Sequence, residues 1–349
     1  MLVNVVAGGL VALAVLAVAA AGGTRGISVP AGFRVETFAR GLAHPTAMRY
    51  GPDGRIYVTQ DGGTLVAIRR GIRSPQVLVR GLRTPLGLAW SGSTLFISEQ
   101  GRLERFELRG GRLEGRRVLV RGLPFGRHQQ DNVVVGSNGR LYWGSGSTCD
   151  VCSERDPRSA TVLSLRKDGS DLRVVARGLR NPYGLAFQPG TGQLYATVNG
   201  QDEIGTPSDP EPAEMLVVVH RGAFYGWPRC WPNARTLHLS GSCRGVSQPA
   251  AYLEPHSSAD GLVFYTGRSF PRSYRGNAFV AEWGEYLSDR FGRRVVRIEL
   301  GHSGRARRVS SFASGFAHPL ALLVDRDGGL LVADWGRGVV YRIQARGRP

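Results

Sequence analysis

Residues 178–199 read GLRNPYGLAFQPGTGQLYATVN. A loop leads into a short apolar run, a Pro/Gly turn follows, and a second apolar run closes the unit. The runs are short, rich in aromatic and β-branched residues and bounded by turn formers, which reads as two strands of an antiparallel pair. The same unit recurs. GLAHPTAMRYGPDGRIYVTQ begins at Gly41, GLRTPLGLAWSGSTLFISEQ at Gly81, GLPFGRHQQDNVVVGSNGRLYWGSG at Gly122 and GFAHPLALLVDRDGGLLVADW at Gly315. HSSADGLVFYTGRSFPRSYRGNAFVAEW, from His256, is the same unit with a longer turn. A polar stretch and a third strand usually follow, as in LVAIRR, RLERFELR, VLSLRK, RRVVRIEL and VVYRIQ.

Six copies with a period of about 40–60 residues match the blades of a β-propeller. One such unit is too small to bury both faces alone, so the units pack radially around a channel. The fold class expected is therefore all-β, a six-bladed β-propeller spanning 27–349. An all-β sandwich would need six accidental matches. No helical periodicity alternates with the strands, which argues against a parallel α/β sheet. FRVETFAR (33–40) is expected to supply a strand that closes the ring. The segment 226–250 is too irregular for a blade and is expected to be a loop on one face.

Composition agrees with a large all-β domain. The chain has 349 residues, 42% hydrophobic and 21% charged, with 49 glycines and 19 prolines spread as turn punctuation rather than clustered. Lys+Arg number 45 against 27 Asp+Glu, a net charge of +18, and the only lysine is Lys167. The arginines are scattered over turns and strand ends without interleaved aromatics. That pattern points to a preference for Arg over Lys, not to a nucleic-acid partner, although the charge favours the approach of an anionic ligand.

Residues 2–23 form one uncharged run, apolar apart from Asn4, that ends in small residues. Segment 1–26 is read as a signal peptide or an N-terminal membrane anchor, and the remainder as exported: periplasmic, secreted, or anchored with the propeller outside. The four cysteines are Cys149, Cys152, Cys230 and Cys243. In an exported chain they suggest disulfides with three connectivities, of which the local pairs 149–152 and 230–243 are the simplest. A zinc site would have to gather thiolates from two distant loops. Ser153 after Cys152 rules out a haem-attachment motif.

Ligand sites in propellers lie at the channel mouth, where the loops entering the innermost strands converge. His128, Arg180, His256 and His318 all fall in that loop of their own units. Equivalent loops in a ring are neighbours in space, so His128 is a candidate base as well as an ordinary polar loop residue.

HQQDNVVVGSNGRLYWGSG (128–146), GLRNPYGLAF (178–187), GAFYGWP (222–228) and FPRSYRGNAFVAEWG (270–284) together resemble the soluble quinoprotein sugar dehydrogenases, including the sorbosone dehydrogenase group. The resemblance covers about residues 31–346. It implies oxidation of an aldose hydroxyl with pyrroloquinoline quinone (PQQ) and calcium, a small-molecule sugar as substrate and an external electron acceptor. By resemblance, His128 is the general base, Arg180 and Asn181 contact the cofactor, and calcium sits on main-chain oxygens of Gly200 and Gln201 in VNGQDE (198–203). Asp202 and Glu203 close the same loop and could add charge.

The chain departs from the family pattern at the cofactor's carboxylates. Where arginines are expected in the last unit stand His318, Pro319 and Leu320, which makes His318 the cofactor-binding candidate there. The lysine expected near AEWGEYLSDR is absent, with Arg290, Arg293 or Arg294 as substitutes. Arg127 stands where sugar-active members carry an acidic residue. Two alternatives stay open. One is a lactonase-type hydrolase with a central calcium, for which Asp131, Asn132, Asn181 and Asn199 are candidates. The other is a non-catalytic propeller that binds a glycan or a protein.

Overall fold

The computed structural model describes Thr24 and residues 26–347, apart from 70, 72–73, 203, 207–208 and 286–289. The apolar leader and Glu203 lie outside the described residues. Six four-stranded antiparallel sheets succeed one another along the chain. In the third, Gln130–Val135, Leu141–Ser145, Thr161–Leu165 and Arg173–Arg177 run in order from the axis outward. The innermost strands of the six sheets are Pro45–Tyr50, Gly87–Ser91, Gln130–Val135, Leu185–Phe187, Ala259–Phe264 and Pro319–Val324. Each touches the next, and the sixth touches the first, so the ring is closed.

Closure comes from the N-terminal side. Phe33–Arg40 is the outermost strand of the sixth blade, paired antiparallel with Val339–Ala345 from Phe33↔Ala345 to Arg40↔Val339. The two ends of the propeller thus share one sheet. The pairing removes the sheet edge an open ring would expose.

The second strands explain why the units read so clearly in the sequence. Ile56–Gln60, Leu194–Val198, Ala278–Glu282 and Leu330–Asp334 are buried along their whole length because a neighbouring blade covers each face. The core is therefore a set of seams between blades. At the seam between first and sixth, Met48, Ile56, Val58 and Val66 pack on Ala321, Leu331, Ala333 and Val340. At the next, Phe270, Phe279 and Val295 pack on Leu322, Leu330 and Val332. Each large side chain fully buried there contributes roughly 1.5–3 kcal/mol.

Segment 226–250 departs from the expected loop. It contains a hairpin, Cys230–Asn233 paired with Cys230↔Gly241 and Asn233↔His238. Pro232 O accepts the Ala213 N–H at 2.9 Å, and Pro228 O accepts Gln201 Nε2 at 2.8 Å, so the hairpin lies against the loop that follows the fourth blade's second strand. Both cysteine pairs are local disulfides, Cys149–Cys152 and Cys230–Cys243, which leaves no thiolate for zinc.

The ladders align the blades residue by residue. Met48↔Val58, Leu88↔Ile97, Val133↔Trp143, Leu185↔Ala196, Leu262↔Val280 and Leu322↔Val332 occupy the same place in successive blades. Counting back five residues along each inner strand gives the mouth ring Ala43, Arg83, His128, Arg180, Ser257 and Ala317. One residue later the ring is His44, Thr84, Gln129, Asn181, Ser258 and His318.

Candidate functional site

The ring alignment puts His128 and Arg180 at matching positions on adjacent blades, and His318 on the sixth blade, across the channel from the third. Acids at the ends of the second strands hold these loops down. Glu99 Oε2 accepts Arg83 N–H at 2.5 Å, and Asp334 accepts the N–H groups of Ala317 and His318 at 2.8 and 2.9 Å. A hydrogen-bonded carboxylate at the end of an apolar strand fixes a loop that carries side chains to the mouth. ISEQ and VADW show that signal in the sequence, an acid closing a buried run, but it went unread as a loop anchor.

His128 is half-buried, and its ring tautomer follows from its neighbours. Ser147 Oγ donates its single hydroxyl proton to Cys149 O at 2.7 Å. The 3.0 Å contact between Ser147 Oγ and His128 Nδ1 is therefore donated by Nδ1–H. Nε2 is left with the lone pair. Burial first, and then the positive charges of Arg180 and Arg127, lower the His128 pKa to about 3. The imidazole is thus a neutral proton acceptor at Nε2 throughout the physiological range.

Arg180 is 2% exposed and sits in a clamp. Its Nη2 donates to Asp150 Oδ1 at 2.5 Å and to Asp202 Oδ2 at 2.8 Å, and its Nε donates to Asp150 O at 3.3 Å. Asp202 also pairs with Arg127 through Nε at 2.9 Å. Two guanidinium groups and two carboxylates make the cluster neutral, so Arg180 offers directed donors more than net charge. The loop closed by Cys149–Cys152 presents Asp150, and Trp227 Nε1 holds the Asp150 carbonyl at 3.0 Å. That contact gives the YGWP motif its structural role. Asp150, Ser147 and Trp227 are site residues that sequence reasoning missed, because each acts on a residue from another loop.

Asn181 Nδ2 donates to Asn199 Oδ1 at 2.7 Å, and Asn199 Nδ2 donates to Ala259 O at 3.2 Å. Asn181 Oδ1 is buried with no hydrogen-bond partner among the described residues. It converges with His128 on Gly146. A Cβ at that glycine would lie 2.5 Å from both Asn181 Oδ1 and His128 Cβ, so only glycine lets the two loops meet.

Glu214 holds the Gly200–Gln201 turn by accepting Gly200 N–H at 2.6 Å, and it also accepts Ser258 N–H at 3.3 Å. Burial raises the Glu214 pKa to about 8. The carbonyls of Gly200 and Gln201 accept no hydrogen bond among the described residues, which leaves two adjacent oxygens for a hard cation.

On the opposite lip, the His318 ring stacks on Trp283 at 3.9 Å, and His44 lies against Trp335 at 4.1 Å. The two tryptophans meet edge to face at 5.6 Å. His256, also expected near the mouth, faces Phe291 at 6.1 Å. Of the substitute arginines, Arg294 is committed to Glu282 at 2.5 Å and Glu254 at 3.2 Å, and Arg290 lies over the Phe291 ring.

These pKa shifts predict two opposed limbs of stability. The folded-state pKa of His128 lies below its unfolded value, so the unfolded chain binds the proton first. Its contribution is present above about pH 6.5 and is lost as the pH falls toward 3, by no more than about 5 kcal/mol. The pKa of Glu214 is raised to about 8 and that of Glu282 to about 7, both chiefly by burial. Their contribution is present below the unfolded carboxylate value and is lost as the pH rises through 7 to 8. Urea midpoints should peak between the limbs. His128→Gln should flatten the acid limb and Glu214→Gln the alkaline one. Unchanged limbs in both variants would refute the assignment.

The similarities agree with this geometry. The Glucose / Sorbosone dehydrogenase family model matches residues 88–334. An uncharacterized protein of Borreliella burgdorferi is 24% identical over 92% of this chain and 91% of its own. The aldose sugar dehydrogenase YliI of Escherichia coli is 24% identical over 43% of this chain and 44% of its own. The PQQ-bound aldose sugar dehydrogenase of Streptomyces coelicolor superposes with a TM-score of 0.71 at 20% identity, over 91% of this chain and 99% of that one. The superposition speaks to the fold, whereas the family match spans most of the propeller, including both lips of the mouth. The chain belongs to the glucose/sorbosone dehydrogenase family.

Proposed function

We propose that this sugar dehydrogenase family member uses PQQ and calcium to oxidise a hydroxyl of an aldose or related alcohol, outside the cytoplasm, and passes the electrons to an external acceptor. The observation that carries the reading is the neutral His128, with Nδ1–H tied to Ser147 and Nε2 left as a base beside Arg180. The donor set fits the cofactors: two adjacent carbonyls at Gly200 and Gln201 for calcium, and the orphaned Asn181 Oδ1 and the clamped Arg180 fork for the quinone.

When bound, PQQ supplies the two-electron acceptor and calcium polarises it. The chain's own residues do the rest. His128 Nε2 accepts the proton of the substrate hydroxyl, a role worth roughly 10²–10⁴-fold in rate. Ser147 keeps the imidazole in the tautomer that can do so. Asp150 and Asp202 orient the Arg180 donors. The Trp283–His318 stack offers a flat face on the opposite lip. His318 stands where the resemblance implies a cation; its Nδ1–H donates to Trp283 O at 3.1 Å, so it would offer a cofactor carboxylate a donor at Nε2 only as the imidazolium. Two disulfides support an oxidising compartment. Among the described residues, no helix is long and apolar enough to cross a membrane.

A titration of PQQ into calcium-loaded protein tests the proposal. Saturable binding, with turnover of aldoses by an artificial electron acceptor and loss of turnover on chelation, is expected. No PQQ binding at micromolar concentration rules the reading out, and lactone hydrolysis without PQQ would favour the hydrolase alternative.

A further inference from the structure

Beneath the mouth, the aligned ladders define a deeper ring two residues before the matched inner-strand pairs: Thr46, Leu86, Asp131, Tyr183, Asp260 and Leu320. Four of its six members are polar, and three of them, Asp131, Tyr183 and Asp260, fall on successive blades. Asp131 is 1% exposed, Asp260 6% and Tyr183 8%. Asp131 Oδ2 and the Tyr183 hydroxyl have no hydrogen-bond partner among the described residues, and neither does Asn132 Oδ1 beside them.

The three groups share one level of the ring on the third, fourth and fifth blades. Asp260 acts electrostatically on Asp131, and Tyr183 feels Asp260, Asp131 and then Asp61. No lysine, arginine or histidine stands in the ring. At the mouth level above, Arg127 pairs with Asp202 and Arg180 with Asp150 and Asp202. Asn199 hydrogen-bonds to Asp260. Thr46, the remaining polar member, already donates to Pro85 O at 2.6 Å.

Two buried carboxyl groups within electrostatic reach of each other repel when ionised, and burial alone is costly for each. The donors around them are oxygens only. That set suits a hard divalent cation, which takes oxygen ligands at about 2.3–2.6 Å and fills its remaining positions with water.

We infer that Asp131 and Asp260, with the Tyr183 hydroxyl, form a calcium-class cation site on the propeller axis below the mouth, bridging the third, fourth and fifth blades. The site is independent of PQQ and of the Gly200–Gln201 carbonyls. Its role is to tie together inner strands that otherwise meet through repulsion.

Calorimetric titration of Ca²⁺ into chelator-treated, PQQ-free protein tests it. Wild type is expected to take up the ion and to melt at higher temperature when loaded. Asp131→Asn and Asp260→Asn should each weaken that binding at least tenfold while leaving PQQ affinity unchanged, so a failed proposal for the mouth would not mask the result. Equal calcium stoichiometry and affinity in wild type and both variants would overturn the inference, as would no uptake by wild type at millimolar Ca²⁺. If the variants do not fold, Tb³⁺ soaked into wild-type crystals decides. An anomalous peak within ligand distance of Asp131 and Asp260 supports the site, and a peak elsewhere or none refutes it. A protonated-carboxyl infrared band that persists in saturating calcium and disappears in Asp131→Asn would show that the pair shares a proton instead, which also refutes it.

Discussion

His128→Ala is expected to lower kcat about 10³-fold while PQQ and calcium affinities stay near wild type. Removing the imidazole takes away the only neutral base placed at the mouth ring between Arg83 and Arg180. It leaves the Arg180 clamp and the Gly200–Gln201 turn in place, because neither hydrogen-bonds to the ring. Two companion variants sharpen the result. His128→Gln keeps a polar side chain of similar size but supplies no base, and should be as inactive as alanine. Ser147→Ala leaves the imidazole but frees its Nδ1, so the lone pair is no longer confined to Nε2, and a loss of about tenfold is expected from that one orienting bond. Steady-state turnover with an artificial acceptor, paired with PQQ titration, separates base from scaffold. A His128→Ala protein that keeps more than a tenth of wild-type kcat would remove His128 from the chemistry.

Arg180→Ala is expected to fail on two counts, stability and cofactor affinity. The guanidinium compensates Asp150, whose side chain is 9% exposed, and Asp202, which is 46% exposed. Water can solvate Asp202 in the variant, so the cost concentrates on Asp150. Stranding one buried carboxylate costs about 3 kcal/mol. Arg180→Lys restores the charge, but a single ammonium cannot reach Asp150 O, Asp150 Oδ1 and Asp202 Oδ2 as the fork does, so only partial recovery is expected. The double variant Arg180→Ala/Asp150→Asn should be more stable than Arg180→Ala alone, since it removes the orphaned charge. Urea denaturation of the four proteins measures this, and a PQQ titration of the same set reads the effect on the site. An Arg180→Ala protein as stable as wild type would mean that the clamp contributes nothing.

Parts of this molecule were plain in its sequence. Inner and second strands announced themselves because neighbouring blades bury both faces of each, so every unit shows two apolar runs around a turn. FRVETFAR was legible as the closing strand for a related reason: it had no partner in its own unit. The other outermost strands were hidden. Arg112–Arg121 is exposed along most of its length and carries no apolar pattern, and the Cys230–Asn233 hairpin is only four residues a side. The sequence offered the local pairs only as the simplest of three connectivities, and these are the disulfides that form.

The chemistry of the mouth is a different matter. The sequence alone could nominate His128 and Arg180, by unit position and family likeness, since the repeat period decides which residues share a level of the ring. It could not say which nitrogen of His128 carries the lone pair, because that depends on Ser147, brought over by the strand pairing of the third blade. Nor could it reveal that Asp150 and Asp202 neutralise Arg180, or that Asp131, Tyr183 and Asp260 lie within electrostatic reach of one another. Periodicity is a property of one blade at a time, read from burial along the chain. Protonation and charge balance are set by whichever groups the closed ring brings within a few ångströms, and those come from different blades.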